Sequence, residues 1–362
     1  MPASQLSGPV IATANAAATV ASAETKALFP AGECDDVYEL RFFGEGGPGT
    51  PYLVQPGGEY QPTIAFDAPW GDAPVQAIAI KPLIDNKKVT HHYLLTGVGG
   101  SFNVLDVWGP GSDDPPLPAD VGIDLPHGAS ALRFNMHYYN LAGTKPEPDR
   151  SGVAICVVRG AKLRKNTAAV TVFAAVGAPM VPANAKGHVL TNSCKATLKE
   201  PVTLLSLWPH AHKRARHMKL TVTKPDGRLQ TLHDGSFSFE EQASYPVSPA
   251  YLVEDGDTFT TTCTYDNDSN RNISFGENTD DEMCFNFAVA YPKGALRCGF
   301  GGGPAGAFPP GFNPFGDGGL PPGFPGFGDG GFPAGFNPFG GGARGPLDGG
   351  VPLSAPLPAS KD

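Results

Sequence analysis

Long apolar runs are missing from this chain of 362 residues. No stretch approaches the roughly 18–20 consecutive apolar residues that a membrane-spanning helix needs, so no transmembrane segment is expected. Cations are scarce too: 26 Lys and Arg stand against 35 Asp and Glu, for a formal charge of −9. Phosphate neutralisation needs clustered cations, so a nucleic-acid surface is excluded. The six cysteines contain no C-x-x-C pair, which removes zinc ribbons and thioredoxin-type sites. The chain also lacks a G-x-S-x-G elbow, an H-E-x-x-H helix and a GxxxxGK[ST] loop. Its glycine runs, such as GFGGGPAG, follow no strand-to-helix context and are not a nucleotide fingerprint. No Lys or Arg precedes Lys26, and the first 33 residues hold no continuous apolar stretch, so they read as a flexible leader rather than a clear secretory signal.

Glycine and proline are present in force, 47 and 38 residues, but they are unevenly placed. From about Gly299 the chain becomes a Gly/Pro/Phe tract with a twelve-residue period: GFNPFGDGGLPP from Gly311, GFPGFGDGGFPA from Gly323, then GFNPFGGGARGP from Gly335. Such a segment buries too little apolar area to offset its ordering entropy, so residues 299–362 are expected to be a disordered tail. It reads first as a flexible spacer; its spaced Phe side chains would otherwise serve as contacts for a partner or surface. Between Cys34 and Cys298 the dominant pattern is alternation. Met218, Leu220 and Val222 alternate with Lys219, Thr221 and Thr223 before a Pro225-Asp226-Gly227 turn. Phe259, Thr261, Cys263 and Tyr265 share one strand face, and Leu132, Phe134, Met136 and Tyr138 another, which leaves Arg133, Asn135 and His137 opposite. Period-2 runs punctuated by Gly, Pro and Asp predict an all-β fold of two tandem antiparallel β-sandwiches with a junction near residue 166. Six well-separated cysteines predict three disulfides and an oxidising compartment, hence a secreted or periplasmic protein.

Nine histidines occur, and their placement is uneven. His91 and His92 are adjacent in the strand-like VTHHYLL, and His137 lies 45 residues beyond His92 on the polar face of its strand. Adjacent strand residues point to opposite faces, so both can reach one ion only where the backbone is bulged. His210 and His212 form H-x-H in WPHAH, a spacing that turns both imidazoles the same way. Together they predict metal binding. Zinc suits three imidazoles; a methionine ligand would point to copper instead. On residues alone Met283 reads as core filler, as do Met180 and Met218. His127, His188, His217 and His233 read as structural or exposed.

The stretch Cys263 to Cys284, CTYDNDSNRNISFGENTDDEMC, resembles the signature of the copper type II, ascorbate-dependent monooxygenases, in which C-x-Y/F is followed by G-x-x-T/S-x-[DE]-E-M-C. HHYLLTG is similar to that family's HHM-LL-G element, with Tyr93 in place of the usual Met. VWGPGSDDPPLPADVGIDL with LRFNMHYYN, and PHAH followed by a hairpin and GDTFTTTC, match further elements in the family's order, from about Cys34 to Cys298. The resemblance implies two jelly-roll-like domains, 34–165 and 166–298, holding two coppers per chain. His91, His92 and His137 would hold the electron-storing copper. His210, His212 and Met283 would hold the copper that carries O2 chemistry, with the second electron crossing an open cleft. The disulfides implied are Cys34–Cys156, Cys194–Cys298 and Cys263–Cys284.

The resemblance also implies an activity: hydroxylation of an aliphatic or benzylic C–H with O2 and an external reductant such as ascorbate. Peptide-amidating members carry Arg where this chain has Trp208, and Tyr where it has Phe287. With Asn286 beside it, Phe287 resembles the arrangement of the dopamine-hydroxylating members. Trp208, Asn286 and Phe287 are therefore expected to contact a small-molecule substrate that is mainly apolar or aromatic. The alternative is a non-catalytic copper-binding protein for storage or delivery.

Overall fold

The computed structural model describes residues 16–97, 103–112, 115–175, 180–276 and 279–298. The expected tail, 299–362, and the first fifteen residues of the leader lie outside the described residues. Among the described residues the chain is nearly all strand. Its helical content is one four-residue α-helix, Ala23–Lys26, and one 3-10 turn, Gly160–Lys162.

Two pairs of sheets form two jelly-roll-like sandwiches in tandem. In the first sandwich one sheet runs through Thr63–Asp67, Leu132–Asn140, Thr90–Gly97 and Val104–Trp108. The facing sheet runs through Val121–Asp124, Val75–Leu83, Gly152–Arg159 and Asp36–Arg41. Their inward residues form one core, including Leu40, Phe66, Tyr93, Leu95, Phe134, Met136, Tyr138, Ile155 and Val157. The second sandwich stacks Ala169–Ala174, Cys284–Tyr291, Val202–Ala211 and Tyr245–Val253 against a sheet containing Ala215–Thr223, Thr258–Tyr265 and His188–Leu198. Among the described residues, pairing between strands is antiparallel apart from two short parallel contacts at Ala16–Ala17 and Asn166–Thr167, and one isolated parallel bridge joins Phe275 to Glu282. Asn166–Thr167 still pairs with the first sandwich, whereas Ala169–Ala174 pairs with the second.

The alternation explains these strands. Leu132, Phe134, Met136 and Tyr138 are all fully buried, while Arg133 on the opposite face is exposed. At the Pro225-Asp226-Gly227 turn, Gly227 adopts a φ of 86°, a left-handed conformation that L side chains rarely take.

One expectation needs correction. Residues 16–33 are not a flexible leader. Thr19–Val20 adds to the edge strand Asp36–Arg41, Ser22 caps the short helix through Thr25 N, and Ala21 and Phe29 pack with Val37, Ala154 and Cys156. Small apolar residues in a weakly patterned segment gave no periodic signal, yet they fill the edge of a core that exists only once the chain is folded. Disulfides join Cys34 to Cys156, Cys194 to Cys298 and Cys263 to Cys284, with Cα atoms 5.3, 5.3 and 6.0 Å apart.

Candidate metal centre

The strands Thr90–Gly97 and Leu132–Asn140 pair in register up to His92↔His137, and the next pair is Thr90↔Tyr138. His91 is thus the extra residue of a β-bulge. The bulge undoes the alternation that would otherwise send adjacent side chains to opposite faces. His91, His92 and His137 converge as a result, each buried, with one nitrogen apiece within 4.8 Å of the others.

Hydrogen bonding assigns the tautomers. His91 Nε2 lies 2.7 Å from the carbonyl oxygen of Phe239 and must donate its proton there. His137 Nε2 donates to the Glu59 carboxylate, which also accepts from the Thr279 hydroxyl. Both rings therefore turn a lone pair inward, and the two Nδ1 atoms stand 3.4 Å apart. His92 Nε2 lies 2.8 Å from His137 Nδ1, and its own Nδ1 is buried without a partner. Burial, then the neighbouring His137, holds His91 down to about 3; the same causes, burial first, hold His92 well below the usual imidazole range. Facing lone pairs and an orphaned buried nitrogen are unfavourable in a protein interior unless a cation is present. The donor set fits a metal ion that accepts imidazole, such as copper or zinc.

The second set sits on the strand Val202–Ala211 and the residue after it. Trp208, His210 and His212 share a face, with the His210 and His212 rings 5.5 Å apart. His210 Nδ1 donates to Gln242 Oε1 at 2.7 Å, and His212 Nδ1 donates to the Asp281 carbonyl at 3.1 Å. Both rings therefore carry the lone pair on Nε2, the arrangement that outer hydrogen bonds impose on metal-binding histidines. Burial is the first cause that lowers them, His210 to about 3 and His212 to about 4.

Met283 is fully buried beside this strand. The ladder pairs His210 with Phe285 and Ala211 with Cys284, so one further step puts Met283 opposite His212, on the face that carries the imidazoles. The buried Glu282 carboxylate accepts from the backbone N–H groups of His212, Arg214 and Met283. It thereby ties the end of the histidine strand to the methionine segment. Burial pushes its pKa up to about 7, against the pull of those three donors.

The two sets face one another across the sandwiches. The His92 and His210 rings are 6.0 Å apart, so the open cleft expected from the resemblance is closed in this structure. Apolar residues of both sandwiches fill the contact: Leu94 and Val104 pack with Trp208, Met283, Phe285 and Phe287. One segment of the second sandwich serves both sets. Phe239 offers its carbonyl to His91 and Gln242 its side chain to His210, while Gln242 O also accepts from Trp208 Nε1.

Of the residues expected to meet substrate, Trp208 and Phe287 stack at 5.2 Å on the histidine face. Asn286 differs. Its side chain points to the other face of the strand, towards Thr261 Oγ1 of the opposing sheet at 3.4 Å, and is fully buried there. His127 and His217 stand outside both sets; the first bonds Gly71 O and the second pairs with Asp234. Glu59, Phe239 and Gln242 carry no local sequence signal, because they reach the site from segments distant in the chain, whereas Thr279 stands at the T/S position of the G-x-x-T/S-x-[DE]-E-M-C motif. Glu282 was visible as part of the E-M-C motif.

Residues 166–306 match the family model described as the copper type II ascorbate-dependent monooxygenase C-terminal domain. Among curated proteins, dopamine beta-hydroxylase of Rattus norvegicus is 29% identical over 208 residues, covering 54% of this chain and 33% of that protein. MOXD1 homolog 1 of Drosophila melanogaster is 26% identical over 198 residues, covering 52% and 28%. Tyramine beta-hydroxylase of Caenorhabditis briggsae is 26% identical over 203 residues, covering 52% and 34%. The chain thus spans about a third of the length of the curated relatives it matches. Over residues 166–306 the chain is similar to the C-terminal domain of the copper type II, ascorbate-dependent monooxygenases, and about half of it is similar to dopamine and tyramine beta-hydroxylases.

Proposed function

We propose that the protein is a two-copper monooxygenase that hydroxylates an aliphatic or benzylic C–H bond of a small, mainly apolar or aromatic substrate. The reaction consumes O2, two electrons from a one-electron reductant such as ascorbate, and two protons, and yields the alcohol and water. The reading is supported by the buried His91, His92 and His137 cluster standing beside the His210–His212 pair, with the His92 and His210 rings 6.0 Å apart and Met283 buried next to that pair. A storage or delivery protein has no use for two chemically different sites, which is why we rank that reading second.

His91, His92 and His137 would hold one copper, and His210, His212 and Met283 the other. Copper there would supply one-electron redox chemistry and O2 activation. An all-nitrogen set suits both copper oxidation states, while the soft thioether of Met283 favours Cu(I). Gln242 and the Asp281 carbonyl hold His210 and His212 with Nε2 presented. Trp208, Phe285 and Phe287 make the surroundings apolar and exclude water, which supports a substrate without a carboxylate to grip. Asn286 has no part in this reading. The functional unit would be two domains, 34–165 and 166–298, with the segment from residue 16 packed on the first, in a secreted, periplasmic or lumenal compartment that keeps the three disulfides oxidised.

Copper per chain, measured by elemental analysis after loading and desalting, is expected to reach two in the wild type and fall towards one in Met283→Ala. Ascorbate-dependent O2 uptake should accompany the fully loaded form. Two coppers without O2 uptake would favour storage or delivery; one or none would remove the two-site reading.

A further inference from the structure

The bulge at His91 is needed for the three imidazoles to meet, and an inserted residue leaves a strand with competing registers. A slip of one residue would turn His92 to the other face. Something must hold the backbone on either side of the extra residue. The pair that follows the bulge is Thr90↔Tyr138, and both of these side chains end on one carboxylate. Tyr138 OH donates to Asp149 Oδ2 at 2.7 Å, and Thr90 Oγ1 donates to Asp149 Oδ1 at 3.2 Å. Three more donors fix the carboxylate: Ser151 N on Oδ2 at 2.9 Å, Ser151 Oγ on Oδ1 at 2.7 Å, and Asn86 N on Oδ1 at 3.0 Å. Asn86 O in turn accepts from Thr90 N at 3.1 Å, and Val89 O from Tyr139 N at 2.8 Å, so the backbone entering the bulge is held as well.

We propose that Asp149 is a positioning residue for the three-histidine set, pinning Thr90 to Tyr138 so that His91 stays the extra residue. The proposal rests on the reading of those histidines as metal ligands. Asp149 is fully buried, and five neutral donors compensate its charge. An amide cannot replace it. In either orientation Asn would aim its NH2 at two or more of the five donors.

The test is copper titration with cupric electron paramagnetic resonance on wild type, Asp149→Asn and Thr90→Val. Asp257→Asn is the control: Asp257 is the corresponding fully buried carboxylate of the second sandwich, accepting from Tyr251 OH at 2.7 Å and Glu254 N at 2.8 Å. Asp149→Asn and Thr90→Val are expected to weaken the three-histidine site roughly 10–100-fold and change its cupric signal, leaving the methionine-containing site alone. Asp257→Asn should lower the melting temperature without that change. Should Asp149→Asn fail to fold, Thr90→Val decides, since it removes one hydroxyl at nearly constant shape. Wild-type affinity and signal in folded Thr90→Val and Asp149→Asn, with only stability lowered as in Asp257→Asn, would overturn the proposal. A wild-type protein that takes no copper at the three histidines would instead sink the proposed function, and this inference with it.

Discussion

His210 and His91 each depend on a single acceptor for the proton that keeps their inward nitrogen unprotonated, Gln242 Oε1 for the first and Phe239 O for the second. Gln242→Leu keeps the bulk and removes the acceptor, leaving a buried N–H without its partner. We expect copper affinity at the methionine-containing set to drop about 10–100-fold, read by competitive titration, with a smaller change at the three histidines because Gln242 Nε2 also donates to Phe239 O at 3.3 Å. Five of the six proposed donor residues stand out in the sequence because H-H, H-x-H and E-M-C are short local motifs, while the sixth, His137, shows only by its place on the polar face of its strand. Their outer partners do not stand out. Gln242 lies 32 residues from His210, and Phe239 is 148 residues from His91; only the folded sheets bring them within reach. Asn286 marks the opposite failure. Its neighbours in sequence face the site, but strand alternation turns Asn286 itself into the sandwich interior.

At the scale of elements, the Cys263–Cys284 bridge joins the strand Thr258–Tyr265 to the first residue of Cys284–Tyr291, immediately after Met283. Tyr265 OH adds a bond to Met283 O at 2.7 Å. The paired substitution Cys263→Ser with Cys284→Ser should cost about 2–4 kcal/mol in urea unfolding. It should also weaken copper at the methionine-containing set more than at the three histidines. Gly109 offers a second test. A Cβ placed there would lie 2.5 Å from Gln242 O, so Gly109→Ala must push the 239–242 segment away from the first sandwich. Both sets should respond, with altered cupric spectra at each, because that segment serves both. Unchanged spectra would show that the segment gives way elsewhere. The strands themselves were readable from period-2 alternation, and a bulge follows from the adjacent histidines if both are to reach one ion. The ordering of residues 16–33 was not readable, because two-residue strands carry too few positions for a period.

For the whole molecule, four buried imidazoles with lowered pKa set the response to acid. His91, His210 and His212 are held to about 3, 3 and 4, and His92 is held well below the usual range. In the unfolded chain each takes up a proton near pH 6.5. Below that value the unfolded state binds more protons, so metal-free protein should be fully stable above pH 6.5 and lose stability as the pH falls towards 4. Glu282, raised to about 7, acts in the opposite direction by one proton. The lowered histidines, with His233 lowered as well, outnumber Glu282, so a decline is predicted, measured as a falling urea midpoint between pH 6.5 and 5. A flat profile would mean that these rings are hydrated in the metal-free protein.

The segment from Phe239 to Gln242 has a consequence for how such a protein is inherited. A recombinant that joined this first sandwich to the second sandwich of a relative would leave His91 facing whatever backbone that relative supplies. Unless residues 239–242 travelled with the first sandwich, one parent's histidine would be paired with the other parent's acceptor. The two halves look separable along the chain, yet they share one part, and selection on either half acts on that part as well.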